Sequence, residues 1–307
     1  MILTFLRLSI ALSIGVTMIG APANAEPLPP LKFVTFNLLH GGASSGLFGN
    51  GQELDLRLET AAAEIESLGA DVIGLQEASA SWGRGNVAAR LAARLGFHYV
   101  HAPATERVFG NAVVDWLIVR LINFSEGPAI VSRFPIVARE VYDLPRCEKF
   151  LDPRVLLGAE ILTPWGRLTV YSTHTSRFSC QAGRVAEIVS EKRRSTPSIV
   201  MGDFNSAEGS PAIVALTRSV GFVDVFRSAN PAEPGLTVWQ RIDSPAPTVF
   251  RRVDYLFLVP GTEFPGRVLS SRVVLNSPLR LEDGKVLWPS DHYGVFGELH
   301  FFPDGRE

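Results

Sequence analysis

In the second half of the chain, the apolar run Ile199-Val200-Met201-Gly202 gives way to Asp203-Phe204-Asn205, a carboxylate and an amide two positions apart. Side chains at i and i+2 of an extended chain point the same way, so the pair is expected to project together from a strand end. A carboxylate holds a cation or takes a proton from water, and an amide donates to a phosphate oxygen. The same residues also suit an Asx-type turn, because Asp and Asn bond their own backbone. Recurrence decides between these readings. Asn37 closes Val34-Thr35-Phe36-Asn37, Glu77 closes Ile73-Gly74-Leu75-Gln76-Glu77, and His174 closes Tyr171-Ser172-Thr173-His174. Asp254 follows Arg252-Val253, and Ser290-Asp291-His292 precedes a last apolar run. Burying carboxylates, amides and imidazoles together is costly without an ion or an anionic ligand.

One chemistry uses all of these groups. Phosphodiester hydrolysis needs carboxylates to hold a hard cation that neutralises the non-bridging and leaving oxygens. It needs a base or orienting group for water, and donors aimed at the charge developing on phosphorus. An Asp–His pair fixes the imidazole tautomer and raises its basicity, so it is a natural activator. The sequence contains no His-Glu-x-x-His and no phosphate-binding Gly-rich Lys loop, which argues against zinc-protease and nucleotide-kinase chemistry.

The elements that must position these groups are legible in outline. Lys32 to Asn37 reads as a strand, followed by turn-rich residues from Gly41 to Gly51. Leu54, Leu58, Ala61, Ile65 and Leu68 fall at helical spacing, with Gly69 as a stop. Asp71 to Leu75 is a buried strand, and a second helix is expected from an Asn86 cap through Val87, Leu91 and Leu95 to Gly96. Apolar runs at 112–122, 129–132, 135–142, 154–162 and 167–173 include several rich in Val and Ile, which suits strands. The stretch Val113 to Val119 reads as a buried strand or packed insertion, with a lipid-facing element as the alternative. A helical pattern follows Cys180 and ends in Lys192-Arg193-Arg194, a solvated face. Ser210-Pro211 opens a helix that Gly221 stops, and strands resume at 222–226, 252–259 and 293–299. Strands interleaved with a few helices favour an α/β fold.

Taken in order, Thr35-Phe36-Asn37, Leu75-Gln76-Glu77, Ser172-Thr173-His174, Met201-Gly202-Asp203-Phe204-Asn205, Arg252-Val253-Asp254-Tyr255 and Ser290-Asp291-His292 resemble the motifs of the endonuclease/exonuclease/phosphatase superfamily. Its members include pancreatic deoxyribonuclease, abasic-site endonucleases, bacterial sphingomyelinases and inositol-polyphosphate 5-phosphatases. Ala129-Ile130-Val131-Ser132-Arg133-Phe134-Pro135-Ile136 is also similar to a family stretch, and the resemblance spans residues 32 to 299. It implies a four-layer α/β-sandwich, two mixed β-sheets packed face to face with helices outside. It further implies that Glu77 is the main ligand of a Mg²⁺-type ion (Mn²⁺ being the alternative), with Asn37 beside it and Asp291 as a further ligand. His174 would donate to the phosphate, Asp203 would orient or deprotonate water, and Asn205 would position the phosphate. Asp254 would pair with His292, leaving Asp203 and His292 as alternative bases. Arg133 and Arg154 either contact the substrate phosphate or brace the scaffold. Two departures, Thr175 after the middle histidine and Pro128 before Ala129, are expected to line the cleft and to bear on substrate choice.

Met1 to Ala25 carries one cation, Arg7, then the apolar run Leu8 to Gly20 and the small-residue site Ala23-Asn24-Ala25, the pattern of a cleavable secretory signal. Residues 26–307 are then expected to form a single catalytic domain in the periplasm or outside the cell, without a membrane span and as a monomer. Of the 307 residues, 46% are hydrophobic and 20% charged, enough for a large core and unlike a disordered chain. Loss of the leader reduces 29 basic residues to 28 against 31 acids, a weak negative balance that does not by itself attract nucleic acid. In an oxidising compartment Cys147 and Cys180 are expected to form a disulfide, separate buried thiols being the alternative. His40, His98, His101 and His300 have no motif context and read as surface or satisfied core residues. The expected function is an exported Mg²⁺-dependent phosphodiesterase. Nuclease, sphingomyelinase-like or sugar/inositol phosphomonoesterase activity and a non-catalytic binding role remain as alternatives.

Overall fold

The computed structural model describes residues 29–40, 51–147, 152–164, 166–177 and 179–301. The expected leader and nearly all of the turn-rich run at 41–51 lie outside the described residues. In chain order the first elements are β1 (Leu31–Asn37), α1 (Leu54–Leu68), β2 (Val72–Ser81), β3 (Gly85–Asn86), α2 (Val87–Leu95), β4 (His98–His101) and α3 (Ala112–Ile122). There follow β5 (Ser125–Ser132), β6 (Ile136–Asp143), β7 (Val155–Thr163), β8 (Gly166–His174), α4 (Ser179–Glu191), β9 (Ser198–Asp203) and α5 (Pro211–Val214). The last are β10 (Val223–Asp224), α6 (Val225–Ala229), β11 (Asp254–Val259), β12 (Arg267–Val274), β13 (Leu279–Arg280), β14 (Val286–Leu287) and β15 (Gly294–His300).

Local signals explain the first two helices. α1 buries Leu54, Leu58, Ala61 and Ile65 and ends at Gly69, whose φ of 63° lets the chain turn in the left-handed region. α2 starts where the Asn86 side chain accepts from Ala89 N, and stops at Gly96 with φ 69°. Both match the spacing in the sequence.

Two mixed sheets carry the fold. One has seven strands, in the order β12-β15-β1-β2-β5-β4 with β3 paired to β2; the other has six, in the order β10-β11-β9-β8-β7-β6. β1 and β2 run parallel, as do β8 and β9. Three apolar clusters define the layers. Phe33, Leu157, Met201 and Leu256 pack between the sheets. Val34, Phe36 and Ile73 pack against α1 and α2 on one outer face, and Val200 and Phe257 against α4 and α5 on the other. The chain is a four-layer α/β-sandwich. Where β2 meets β9 the sheets are pressed together, since a Cβ on Gly74 would lie 2.6 Å from Met201 Cβ.

Two expectations change. The apolar run at 112–122 is neither a buried strand nor a packed insertion but a helix, α3, most of whose side chains face outwards. Asn111 Oδ1 accepts from Val113 N and Val114 N, and the carboxylate of buried Asp115 accepts from Phe109 N at 2.7 Å. The Asn111 cap, with Asp115 tying down the preceding loop, outweighs the strand preference of the β-branched residues, which is a weak prior. The strand expected at 222–226 is only two residues long, because the Asp224 side chain accepts from Arg227 N and starts α6. Among the described residues no helix is long and apolar enough to cross a membrane. Cys147 and Cys180 are joined by a disulfide, tying the segment after β6 to α4.

Candidate active site

Strand register gathers half of the site. His174 at the end of β8 is the partner of Asp203 at the end of β9, and Asp203 is also the partner of Asp254 at the start of β11. Asp203 Oδ2 lies 3.4 Å from His174 Nε2 and 3.8 Å from His292 Nε2. The opposite edge of the His292 ring is held by Asp254, with Nδ1 2.9 Å from Oδ2.

The facing sheet supplies the other half. Asn37 at the end of β1 donates through Nδ2 to Glu77 Oε1 and to Asp203 Oδ2, both at 3.1 Å. One amide thus ties carboxylates from the two sheets together. A polar tie lies beside it, where Gln76 Nε2 donates to Ser172 Oγ at 3.3 Å and Ser172 Oγ donates to Leu75 O at 3.0 Å.

Glu77 does not close a strand as the sequence suggested. It sits inside β2 at a bulge, with φ 53°, where the register with β5 slips between Leu75 and Ala78. Gln76 and Glu77 lie opposite the single residue Pro128, which has no N–H to give to the ladder. Gln76 reaches across to the other sheet, so a regular strand would turn Glu77 towards the outer helices. The bulge turns it into the cleft instead.

Asn205 likewise departs from simple alternation. β9 ends at Asp203, Asn205 has φ 50°, and its N–H bonds Asp203 Oδ1 at 2.7 Å in an Asx-type turn. The turn nonetheless delivers its side chain to the site, since Nδ2 lies 3.0 Å from His174 Nε2. Asn37 presents its amide nitrogen to Glu77, while its Oδ1 accepts from Leu39 N at 3.0 Å, so that it orients the carboxylates. Asp291 takes a hydrogen bond from Ser290 Oγ at 3.3 Å and sits within the fields of Glu77 and Arg57. Arg154 and Pro128 share a cavity with Glu77 and His174. Arg133 is elsewhere: it pairs with Asp71 at 3.0 Å, beyond the far end of β2, and braces the scaffold. Thr175 is buried, with its hydroxyl bonded to Phe204 O at 3.1 Å, so it supports the loop and does not line the cleft.

Burial dominates the electrostatics. It lowers His174 well below its ordinary value, reinforced by nearby Arg154 and His292, so this ring is neutral. It lifts Asp203, with the charge of Asp254 adding to the effect. Burial works against charge on His292 as well, but Asp254 and Asp203 outweigh it and hold the ring cationic.

Two functional candidates were not apparent in the sequence. His40 Nε2 lies 3.5 Å from Glu77 Oε2 and 3.6 Å from Glu126 Oε2, between two half-buried carboxylates. Burial first, then the charge of Glu77, pushes Glu126 up to about 7. His40 was read as motif-less, and only its spacing of three from Asn37 hinted otherwise. Glu126 gave no local signal. His101, in contrast, is a satisfied core histidine as expected.

The donors fit a divalent cation. Glu126 Oε2 and Asp254 Oδ1 are buried without a hydrogen-bond partner among the described residues. Ligand atoms of His40, Glu77 and Glu126 lie within 4.8 Å of one another, as do those of Asp203, Asp254 and His292. In the second group Nδ1 of His292 is already committed to Asp254, so the first is the better cradle.

A sandwich of two mixed sheets with acidic, amide and imidazole groups at one edge defines a class of metal-assisted phosphoesterases. The profile of the endonuclease/exonuclease/phosphatase family matches residues 34–292, and the chain belongs to that family, whose members hydrolyse phosphate esters. No curated protein is a significant match. Among solved structures, the fold is similar to a mannosyl-6-phosphatase of Bacteroides thetaiotaomicron VPI-5482, with TM-score 0.66, 20% identity, and 88% of this chain and 100% of that one covered. An endonuclease/exonuclease/phosphatase family protein from Leptotrichia buccalis C-1013-b gives TM-score 0.62 at 21% identity, covering 88% and 100%. The human nocturnin catalytic domain with bound sulfate gives 0.61 at 19% identity, covering 89% and 94%.

Proposed function

We propose that this chain is an exported phosphodiesterase that depends on a divalent cation, Mg²⁺ or Mn²⁺. The observation that carries the reading is the junction at Asp203, where one carboxylate meets His174 from its own sheet and both Asn37, at the end of β1, and His292, just before β15, from the facing sheet. A divalent cation beside Glu77 would neutralise charge on the non-bridging and leaving oxygens of the ester. Asp203 orients the attacking water and accepts its proton, its raised affinity for protons suiting it to that task. His292, kept cationic by Asp254, pairs with a phosphate oxygen, and His174, steadied by Asn205, contacts a second. Arg154 at the cavity wall adds positive charge where the ester docks. Asp291, which feels the charge of Glu77, is the further cation ligand in this reading. Export rests on the leader composition, and a single domain at 26–307 acting as a monomer completes the reading.

The test is cleavage of bis-p-nitrophenyl phosphate with Mg²⁺, Mn²⁺ or EDTA, by the wild type, Glu77→Ala and His292→Ala. Activity is expected with metal only, and to fall in both variants. Undiminished activity in both defeats the site assignment. Release of inorganic phosphate from a phosphosugar, with no diester cleavage, would make the chain a phosphomonoesterase instead.

One observation favours a phospholipid over a nucleic acid as the ester. α3 exposes Trp116 at 57% and Leu121 at 80% of their surface, with Trp82 beside it at 74%. The Arg120 guanidinium stands over both tryptophan rings, 5.4 Å and 5.5 Å from their centroids. Apolar side chains with a tryptophan-stacked arginine suit the boundary between headgroups and acyl chains. The helix adjoins the catalytic cleft, since Ala112 and Asp115 share a cavity with Arg154.

A further inference from the structure

His40 and Glu126 belong to no motif that led to the site, yet both face Glu77. The His40 Nε2 atom lies 3.5 Å from one carboxylate and 3.6 Å from the other. Glu126 Oε2 is buried and has no hydrogen-bond partner among the described residues, which is costly for a carboxylate unless a cation meets it. His40 is placed by a firm backbone support. The Arg57 guanidinium donates to Leu38 O and Leu39 O, both at 2.7 Å, and to Pro289 O at 3.0 Å. Arg84 donates to His40 O and to Ser79 Oγ. Glu126 is held from β5, its N–H bonded to Thr105 Oγ1 at 3.0 Å. Such support is what holds metal ligands in place.

Resting on the metal-dependent reading above, we propose that His40, Glu77 and Glu126 together ligate the cation, and that this one-imidazole, two-carboxylate set favours a first-row transition ion such as Mn²⁺ over Mg²⁺. Mg²⁺ takes oxygen ligands in near-ideal octahedral geometry and keeps much of its water. An imidazole nitrogen in the set lowers its fit for Mg²⁺ and raises it for the transition ions. Glu126 approaches Glu77 from the neighbouring strand across the bulge, so the cradle exists because β2 carries an extra residue opposite Pro128.

The experiment is a titration of the metal-free chain with Mn²⁺, followed by the free-ion paramagnetic resonance signal, with Mg²⁺ as competitor. Wild type, His40→Ala, Glu126→Gln and Glu77→Gln are compared, with His40→Gln and Glu126→Asp as gentler variants and a thermal melt for each. Removal of either new ligand is expected to weaken Mn²⁺ binding by about tenfold or more and to narrow the Mn²⁺ preference over Mg²⁺. Glu77→Gln should abolish binding. Wild-type affinity in folded His40→Ala and Glu126→Gln, with loss only in Glu77→Gln, overturns this ligand set and leaves the phosphodiesterase reading standing. No divalent binding by the wild type overturns both. A wild type that binds Mg²⁺ as tightly as Mn²⁺ overturns the selectivity.

Discussion

His292 Nδ1 lies 2.9 Å from Asp254 Oδ2, and both side chains are buried, so the ring edge facing Asp203 is aimed by a carboxylate on the strand next to β9. Asp254→Asn keeps the shape and removes the charge that holds the ring cationic. Turnover of bis-p-nitrophenyl phosphate is expected to fall about a hundredfold or more, with little change in KM or melting temperature. Turnover close to wild type in the folded variant would show that the pair is only structural.

The two sheets that carry the half-sites touch at Gly74. A methyl group there would lie 2.6 Å from Met201 Cβ and 2.9 Å from its sulfur, in a region where both backbones are fixed by strand pairing. Gly74→Ala is expected to lower stability by about 1–3 kcal/mol through overpacking. Met201→Ala should relieve part of that loss, giving a coupling of about 1 kcal/mol in a double-mutant cycle by urea unfolding. Additive losses would place the strain elsewhere.

His101 sets an acid limit on stability. Its ring is buried between Asn86 Nδ2 at 3.0 Å and Ala78 O at 2.9 Å, and burial lowers its pKa to about 4, the Ala78 carbonyl opposing only in part. The unfolded chain takes this proton near the ordinary value of 6.5. Between these values the unfolded state binds more protons, so stability falls as pH drops through 6.5 towards 4. From about pH 7.5 to about pH 5 the wild type should lose roughly 2 kcal/mol more than His101→Gln in urea unfolding. Equal losses would mean that the ring is protonated in the fold.

If α3 meets a lipid surface, the wild type should float with phosphatidylcholine vesicles, and Trp116→Ser/Leu121→Ser should stay in solution. Cleavage of the soluble diester should be the same in both, because neither residue lies in the catalytic cluster. A wild type that ignores vesicles removes the case for a phospholipid substrate.

Where a signal is local, the sequence sufficed. The Asn86 and Gly96 ends of α2, the Gly69 stop of α1 and the apolar strands leading to Asn37, His174 and Asp203 depend on neighbours a few residues away, so they were legible. Residue types and the order of their motifs also pointed to phosphate-ester hydrolysis, the chemistry of the family to which the chain belongs. Tertiary structure decided what distance decides. Asn37 meets Glu77 across 40 positions and Asp203 across 166, and no spacing rule foretells which strands will lie side by side. The bulge that turns Glu77 inwards exists only once β2 is paired with Pro128, and Glu126 enters the site by the same pairing. Arg133 sits in a family-like stretch yet faces Asp71, because that stretch runs past the far end of the sheet. α3 looked like a strand because β-branched composition is a weak signal, one that the Asn111 cap and the Asp115 bond to the preceding loop override.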